Sequence, residues 1–124
     1  MKKRPSDSSL DKLFRLAARM NYHGRCGLCG KPGYQVHHIV PRRRVLTRWL
    51  LTNGILLCVN CHPWAHTNEG RQAVLRAVGD DECTALFRLE AQTYKQFLMA
   101  QGITDAEFRA GAAQTLRQFI ARFN

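Results

Sequence analysis

The 124-residue sequence predicts an α+β, helix-rich fold, on three observations. Apolar residues recur with helical 3-and-4 spacing toward both ends of the chain. Two short β-prone segments lie between those helical stretches. Two C-x-x-C pairs, Cys26/Cys29 and Cys58/Cys61, bracket the β-prone part. The length suits one domain over 1–124. It divides into a tail and helix over 1–24, a cysteine-bound core over 25–78 and a helical extension over 79–124.

Residues 1–7 are polar and are expected to be disordered. Ser8 or Ser9 can cap a helix running to about Tyr22, with Leu10, Leu13, Phe14, Ala17 and Met20 on one face. Lys12, Arg15 and Arg19 fall on the other side, against phosphate or against solvent. Residues 23–35 hold four glycines and a proline and read as turns. Tyr34 to Val40 reads as a short strand, and Pro41 with Arg42, Arg43 and Arg44 opens a basic loop. Gly54 to Cys58 reads as a second strand. The pattern from His62 to about Val78 is helical, and Pro63 fits its first turn. Asp80 or Asp81 can cap a helix to about Ala100, with Leu86, Leu89, Tyr94, Phe97 and Leu98 as core candidates. Gly102 ends it. Thr104-Asp105-Ala106-Glu107 has the capping-box form and starts a last helix toward Phe123.

Charge is unevenly distributed. Through Arg48 the chain has 12 basic and 2 acidic residues; beyond it there are 7 of each. A single-sign field of this kind attracts polyanions, because neutralised phosphates release their counterions. A solvated basic surface is the plainer reading. No apolar run approaches the roughly 20 residues of a membrane span, and the N-terminus is not read as a secretory signal. The odd cysteine count and paired short spacing argue against a secreted disulfide framework and for an intracellular, cytoplasmic setting. Cys83, the unpaired one, reads as a small residue in a helix.

The cysteine pairs Cys26, Cys29, Cys58 and Cys61 have the spacing of a tetrahedral thiolate site for a structural Zn²⁺. Such an ion closes a long loop and contributes directly to folding. Two buried or redox-active pairs are the alternative. Four of the five histidines fall around this frame. His37 and His38 are neighbours, so in a strand they point to opposite faces. His62 and His66 are four apart, on one face of a helix, where both imidazoles can reach one metal ion. The H-E-x-x-H metalloprotease pattern does not apply, because Pro63 stands where the glutamate belongs. Taken singly, each histidine also has a structural reading.

The run Cys26-x-x-Cys29, Val36-His37-His38-Ile39-Val40-Pro41, Asn53 and Leu57-Cys58-x-x-Cys61-His62-x-x-x-His66 resembles the HNH endonuclease family, of the ββα-metal fold group. The gaps from His38 to Asn53, Asn53 to His62 and His62 to His66 are 15, 9 and 4, similar to those in the nuclease domains of DNase colicins. The cysteine pairs resemble those of zinc-containing HNH proteins of phages and bacteria. The resemblance implies a ββα-metal core and a metal-dependent endonuclease. His38 would be the general base, and Asn53 would hold the loop that orients it. His37, His62 and His66 would bind one catalytic divalent ion: Mg²⁺, Mn²⁺, Ni²⁺ or Zn²⁺. Arg42, Arg43, Arg44 and Arg48 replace the glycine-rich turn often found in the family; they are expected to touch nucleic acid, and a solvated loop is the alternative. DNA is the expected partner, with RNA left open, and no membrane. A phage or bacterial recombination or packaging role follows by resemblance only. The C-terminal helices lie outside it and are free to pack on the core, dimerise or bind a protein. The competing reading is a non-catalytic, zinc-dependent nucleic-acid-binding module, which leaves His37, His38, Asn53, His62 and His66 without a shared purpose. A toxin-type nuclease would share the chemistry.

Overall fold

The computed structural model describes residues 4–123. Helix α1 (Asp7–Asn21) is followed by a turn-rich segment and strand β1 (Gln35–His38). A loop containing the one-turn helix α2 (Val45–Arg48) and a 3-10 turn (Leu51–Asn53) leads into β2 (Gly54–Leu57). Helices α3 (Cys61–Trp64), α4 (Asn68–Val78), α5 (Asp80–Glu90), α6 (Tyr94–Gln101) and α7 (Asp105–Ala121) complete the order. This is the α+β, helix-rich arrangement expected, with one two-stranded antiparallel sheet among the described residues.

The sheet register pairs His37 with Ile55 and His38 with Gly54. Every residue of β2 is buried, which explains its unbroken apolar run: both faces are covered. Leu56 faces a core with Leu10, Phe14, Ala17, Val36, Trp49, Ala113 and Leu116, contributed largely by α1 and α7. Ile55 and Leu57 face the other way, against Cys26, Cys58, Ala65 and Val74. Helix α7 therefore packs on α1. No helix of the described residues is long and apolar enough to cross a membrane.

Five local expectations need correction. The first helix is capped by Ser6, whose hydroxyl accepts from the Ser9 N–H, not by Ser8 or Ser9. The expected disorder over 1–7 falls partly on residues 1–3, outside the described residues. Arg4 is paired with Asp105, and the Pro5 carbonyl accepts from Arg109. The helix expected over 62–78 is two helices. Thr67 breaks it with extended backbone and caps α4 through the Gly70 N–H. Gly70 is required there, since a Cβ would lie 1.9 Å from the Trp64 carbonyl oxygen. The helix expected over 80–100 is also divided, because Thr93 and Gln96 form a capping box that starts α6. Its T-x-x-Q pattern is the same signal that correctly marks Thr104 and Glu107 at the start of α7. Finally, the basic loop is not fully irregular, since α2 and the 3-10 turn lie within it.

Candidate functional site

Two groups of side chains able to bind metal share α3, through its neighbouring residues Cys61 and His62. In the first, Cys26, Cys29, Cys58 and Cys61 bring their sulfurs within 4.8 Å of one another. Cys26 and Cys29 lie on a tight turn pinned to β2 by the Gly27 N–H, which donates to the Leu56 carbonyl at 2.7 Å. Cys58 follows β2 directly and Cys61 opens α3. No cysteine is in a disulfide. The N–H groups of Cys61 and Asn60 favour the Cys58 thiolate and bring its pKa down to about 6. Burial and the neighbouring thiols push Cys61 up to about 12. Four thiols so close cannot all ionise unless a cation joins them. The cluster can hold a metal ion.

In the second group, His37, His62 and His66 bring one nitrogen each within 4.8 Å of the others. Their ring centroids are 5.6 Å apart for His37 and His62, 5.0 Å for His37 and His66, and 5.3 Å for His62 and His66. The rings meet edge to face, a geometry that lets three nitrogens converge. Burial, with the nearby His66 and His62, lowers the His37 pKa to about 4. Burial and His66 lower that of His62 too. Both shifts favour the neutral ring, the form that binds metal.

His38 lies on the other face of the strand from His37, as alternation requires, and lines the same cleft from that side. Its ring stacks on Phe14 of α1, with centroids 4.9 Å apart and planes 19° from parallel. Gly54 makes room: opposite His38 in the register, it carries no Cβ, and one would meet Phe14 Cζ at 2.6 Å. His38 Nε2 lies 3.1 Å from the Arg48 carbonyl oxygen. A carbonyl only accepts, so Nε2 carries the hydrogen and Nδ1 keeps the lone pair. Burial lowers the His38 pKa, the bond to the Arg48 carbonyl opposes this and the Arg42 charge reinforces it.

Asn53 is fully buried. Its Oδ1 accepts from the Val40 N–H at 2.7 Å, and its Nδ2 donates to the Val40 carbonyl at 3.1 Å and the Thr47 carbonyl at 3.0 Å. It thus closes the loop between β1 and β2 across its width.

The four arginines part company. Arg43 and Arg44 are exposed. Arg42 lines the cleft that holds the histidines and also donates to Asp11 at 2.6 Å. Arg48 is largely buried and grips Asp11 through Nε and Nη2. Sequence reading passed over Asp11, Arg109 and the Phe14–His38 stack. Asp11 stands beside Leu10 and three residues before Phe14, so an acid on the flank of an apolar helix face was the available signal. Burial pushes its carboxyl up, but hydrogen bonds from Arg48, Trp49 and Arg42 outweigh this and hold it at about 2.

The cleft has a volume of about 620 Å³. His37, His38, His62 and His66 line it from the core, and Arg71, Phe87 and Glu90 from α4 and α5. A second cavity, of about 500 Å³, lies between the β1–β2 loop and α6–α7; its walls are mainly apolar and hold no histidine or cysteine.

Residues 26–68 match the family model of HNH endonuclease. The resemblance read from the cysteines, histidines and Asn53 holds over that segment, about a third of the chain. It supports a nuclease-type function acting on nucleic acid. No curated protein and no solved structure matches the chain.

Proposed function

We propose that this protein is a metal-dependent endonuclease that hydrolyses phosphodiester bonds of DNA, with His38 as general base. The observation that carries this reading is the placement of His38 and the His37/His62/His66 trio in one cleft whose edge bears Arg42.

The donor sets fit the ions the reading requires. Tetrahedral Zn–S bonds of about 2.3 Å place sulfurs about 3.8 Å apart, and Cys29 Sγ and Cys58 Sγ are 3.6 Å apart. Cys26, Cys29, Cys58 and Cys61 would hold a structural Zn²⁺. His37, His62 and His66 would hold one catalytic divalent ion and leave other positions for oxygen ligands. When bound, that ion supplies positive charge to a phosphate oxygen and to the departing oxygen.

The chain's own residues do the rest. His38 Nδ1 takes a proton from the water that attacks phosphorus. A P–O bond forms to that water oxygen as the bond to the 3′ oxygen breaks, and the leaving oxygen takes a proton from solvent. The Arg48 carbonyl, bound to the far side of the ring, stabilises the imidazolium so formed. Phe14 keeps the ring in plane. Arg42 offers charged N–H groups to a non-reacting phosphate oxygen. Such contacts carry no base sequence, so cutting should follow backbone shape more than sequence.

The test is supercoiled plasmid nicking with Mg²⁺, Mn²⁺, Ni²⁺ or EDTA, beside a count of bound metal. The reading expects one tightly held Zn²⁺, a second exchangeable ion and nicking that EDTA abolishes. One ion per chain, with DNA binding but no cleavage of plasmid, branched or single-stranded DNA, would establish the non-catalytic binding module instead.

A further inference from the structure

The cleft is not built by residues 26–68 alone. Helix α1 precedes that segment and reaches His38 twice: directly through Phe14, and indirectly through Asp11. Asp11 is only 6% exposed, yet its carboxylate accepts four hydrogen bonds. Oδ2 takes Arg42 Nη2 at 2.6 Å and Arg48 Nη2 at 2.9 Å. Oδ1 takes Arg48 Nε at 3.2 Å and Trp49 Nε1 at 2.9 Å. The three donors come from both ends of the β1–β2 loop. One of them, Arg48, carries the carbonyl that binds His38 Nε2. Another, Arg42, lines the cleft.

We propose that Asp11 is a positioning residue that fixes the proton-bearing nitrogen of His38 through the Arg48 carbonyl and aims Arg42 at the substrate phosphate. The proposal rests on the reading of His38 as base. Asn53 holds the loop by its backbone at Val40 and Thr47; Asp11 holds it by the side chains of residues 42, 48 and 49. The residue type follows from the donors. Two guanidinium groups and an indole N–H converge on one point, and only a carboxylate supplies acceptors on both oxygens with charge to match. An asparagine would turn its own N–H groups toward an arginine. The Arg48 fork is bidentate, which fixes the direction of the residue as well as its position. The stacked Phe14 ring then leaves His38 little freedom except rotation about its ring axis, and the carbonyl removes that.

The test compares wild type, Asp11→Asn, Asp11→Glu and the double variant Asp11→Asn with Arg48→Met, each zinc-loaded and checked for folding. The double variant also removes Arg48, the more buried of the two cations that lose the Asp11 carboxylate, so it reports on positioning where the single variant is too unstable to study. The first readout is the His38 ring tautomer, from ¹⁵N NMR of the neutral ring without DNA. Wild type is expected to be the Nε2–H form, and both asparagine variants a mixture. The second is single-turnover nicking, expected to fall roughly 10–100-fold in both, as for other groups that orient a catalytic side chain, with Asp11→Glu recovering part of the rate. A wild-type tautomer with nicking within about twofold in either folded asparagine variant would overturn the proposal. The tautomer is read without cleavage, so it judges Asp11 independently. Full nicking by His38→Ala would overturn the base assignment instead.

Discussion

Replacing Asn53 with alanine tests how the β1–β2 loop is held. The side chain is fully buried and makes three hydrogen bonds. Its loss leaves the Val40 N–H and C=O without their partner, in a residue 1% exposed. The Thr47 carbonyl keeps a second donor, the Leu50 N–H at 3.2 Å. Two buried orphan groups at about 1–3 kcal/mol each, with a smaller loss at Thr47, sum to about 3–5 kcal/mol. That is a large fraction of the stability of a small domain. In urea, at a slope near about 1.5 kcal/mol per molar, the unfolding midpoint should fall by about 2–3 M. Asn53→Asp keeps the shape and the Val40 N–H acceptor but turns negative oxygen toward two carbonyls. It should be the worse variant at neutral pH, with the gap narrowing as acid returns a proton to the carboxyl. A loss below about 1 kcal/mol for Asn53→Ala, measured on zinc-loaded protein, would refute the reasoning, because water or loop adjustment would then satisfy those groups at little cost.

Three further outcomes are expected. Asp11, whose burial is outweighed by its hydrogen bonds from Arg48, Trp49 and Arg42, has a folded pKa of about 2 against 3.8 for an unperturbed aspartate. A lowered folded pKa means stability that is present above the unfolded value and lost as pH falls through the folded one. Wild type should therefore hold this contribution of about 2 kcal/mol down to about pH 4 and begin to lose it below, a pH dependence that Asp11→Asn lacks, measured by urea denaturation from pH 7 down to the acid limit at which thiolate protonation releases zinc. Removal of zinc by a strong chelator should release the ion and the fixed tertiary structure together, read by near-ultraviolet circular dichroism, since structural zinc sites contribute on the order of 10 kcal/mol; a natively folded apoprotein would contradict this. Gly70→Ala should cost about 1–3 kcal/mol in a thermal or urea melt, because its Cβ would lie 1.9 Å from the Trp64 carbonyl oxygen. It should also weaken binding of the exchangeable ion, as His66 lies between the two elements forced apart.

Much of this architecture is legible in the sequence where one local rule acts alone. Thr104 and Glu107 mark the start of α7 because a capping box needs no tertiary partner. Strand alternation places His37 and His38 in different surroundings from their adjacency alone, His37 among the other histidines and His38 on Phe14. The cysteine spacing implies the cluster, since two residues between thiols suit a tight turn. Legibility ends where distant segments meet. The break before α4 depends on Trp64 approaching Gly70, which periodicity cannot express. The charge count of the first 48 residues treats every arginine alike. Yet Arg48 is buried on Asp11 and its carbonyl faces His38, whereas Arg43 and Arg44 are exposed. Both acids of that segment, Asp7 and Asp11, are engaged by arginines. Their scarcity hid their importance.

The most direct test of the central claim is the single-turnover rate of plasmid nicking by His38→Ala, zinc-loaded and folded, at saturating divalent metal. Removal of a general base is expected to lower the rate about 10²–10⁴-fold, with DNA affinity and both metal sites retained. A His38→Ala variant that nicks at the wild-type rate would contradict the account and move the proton transfer elsewhere in the cleft.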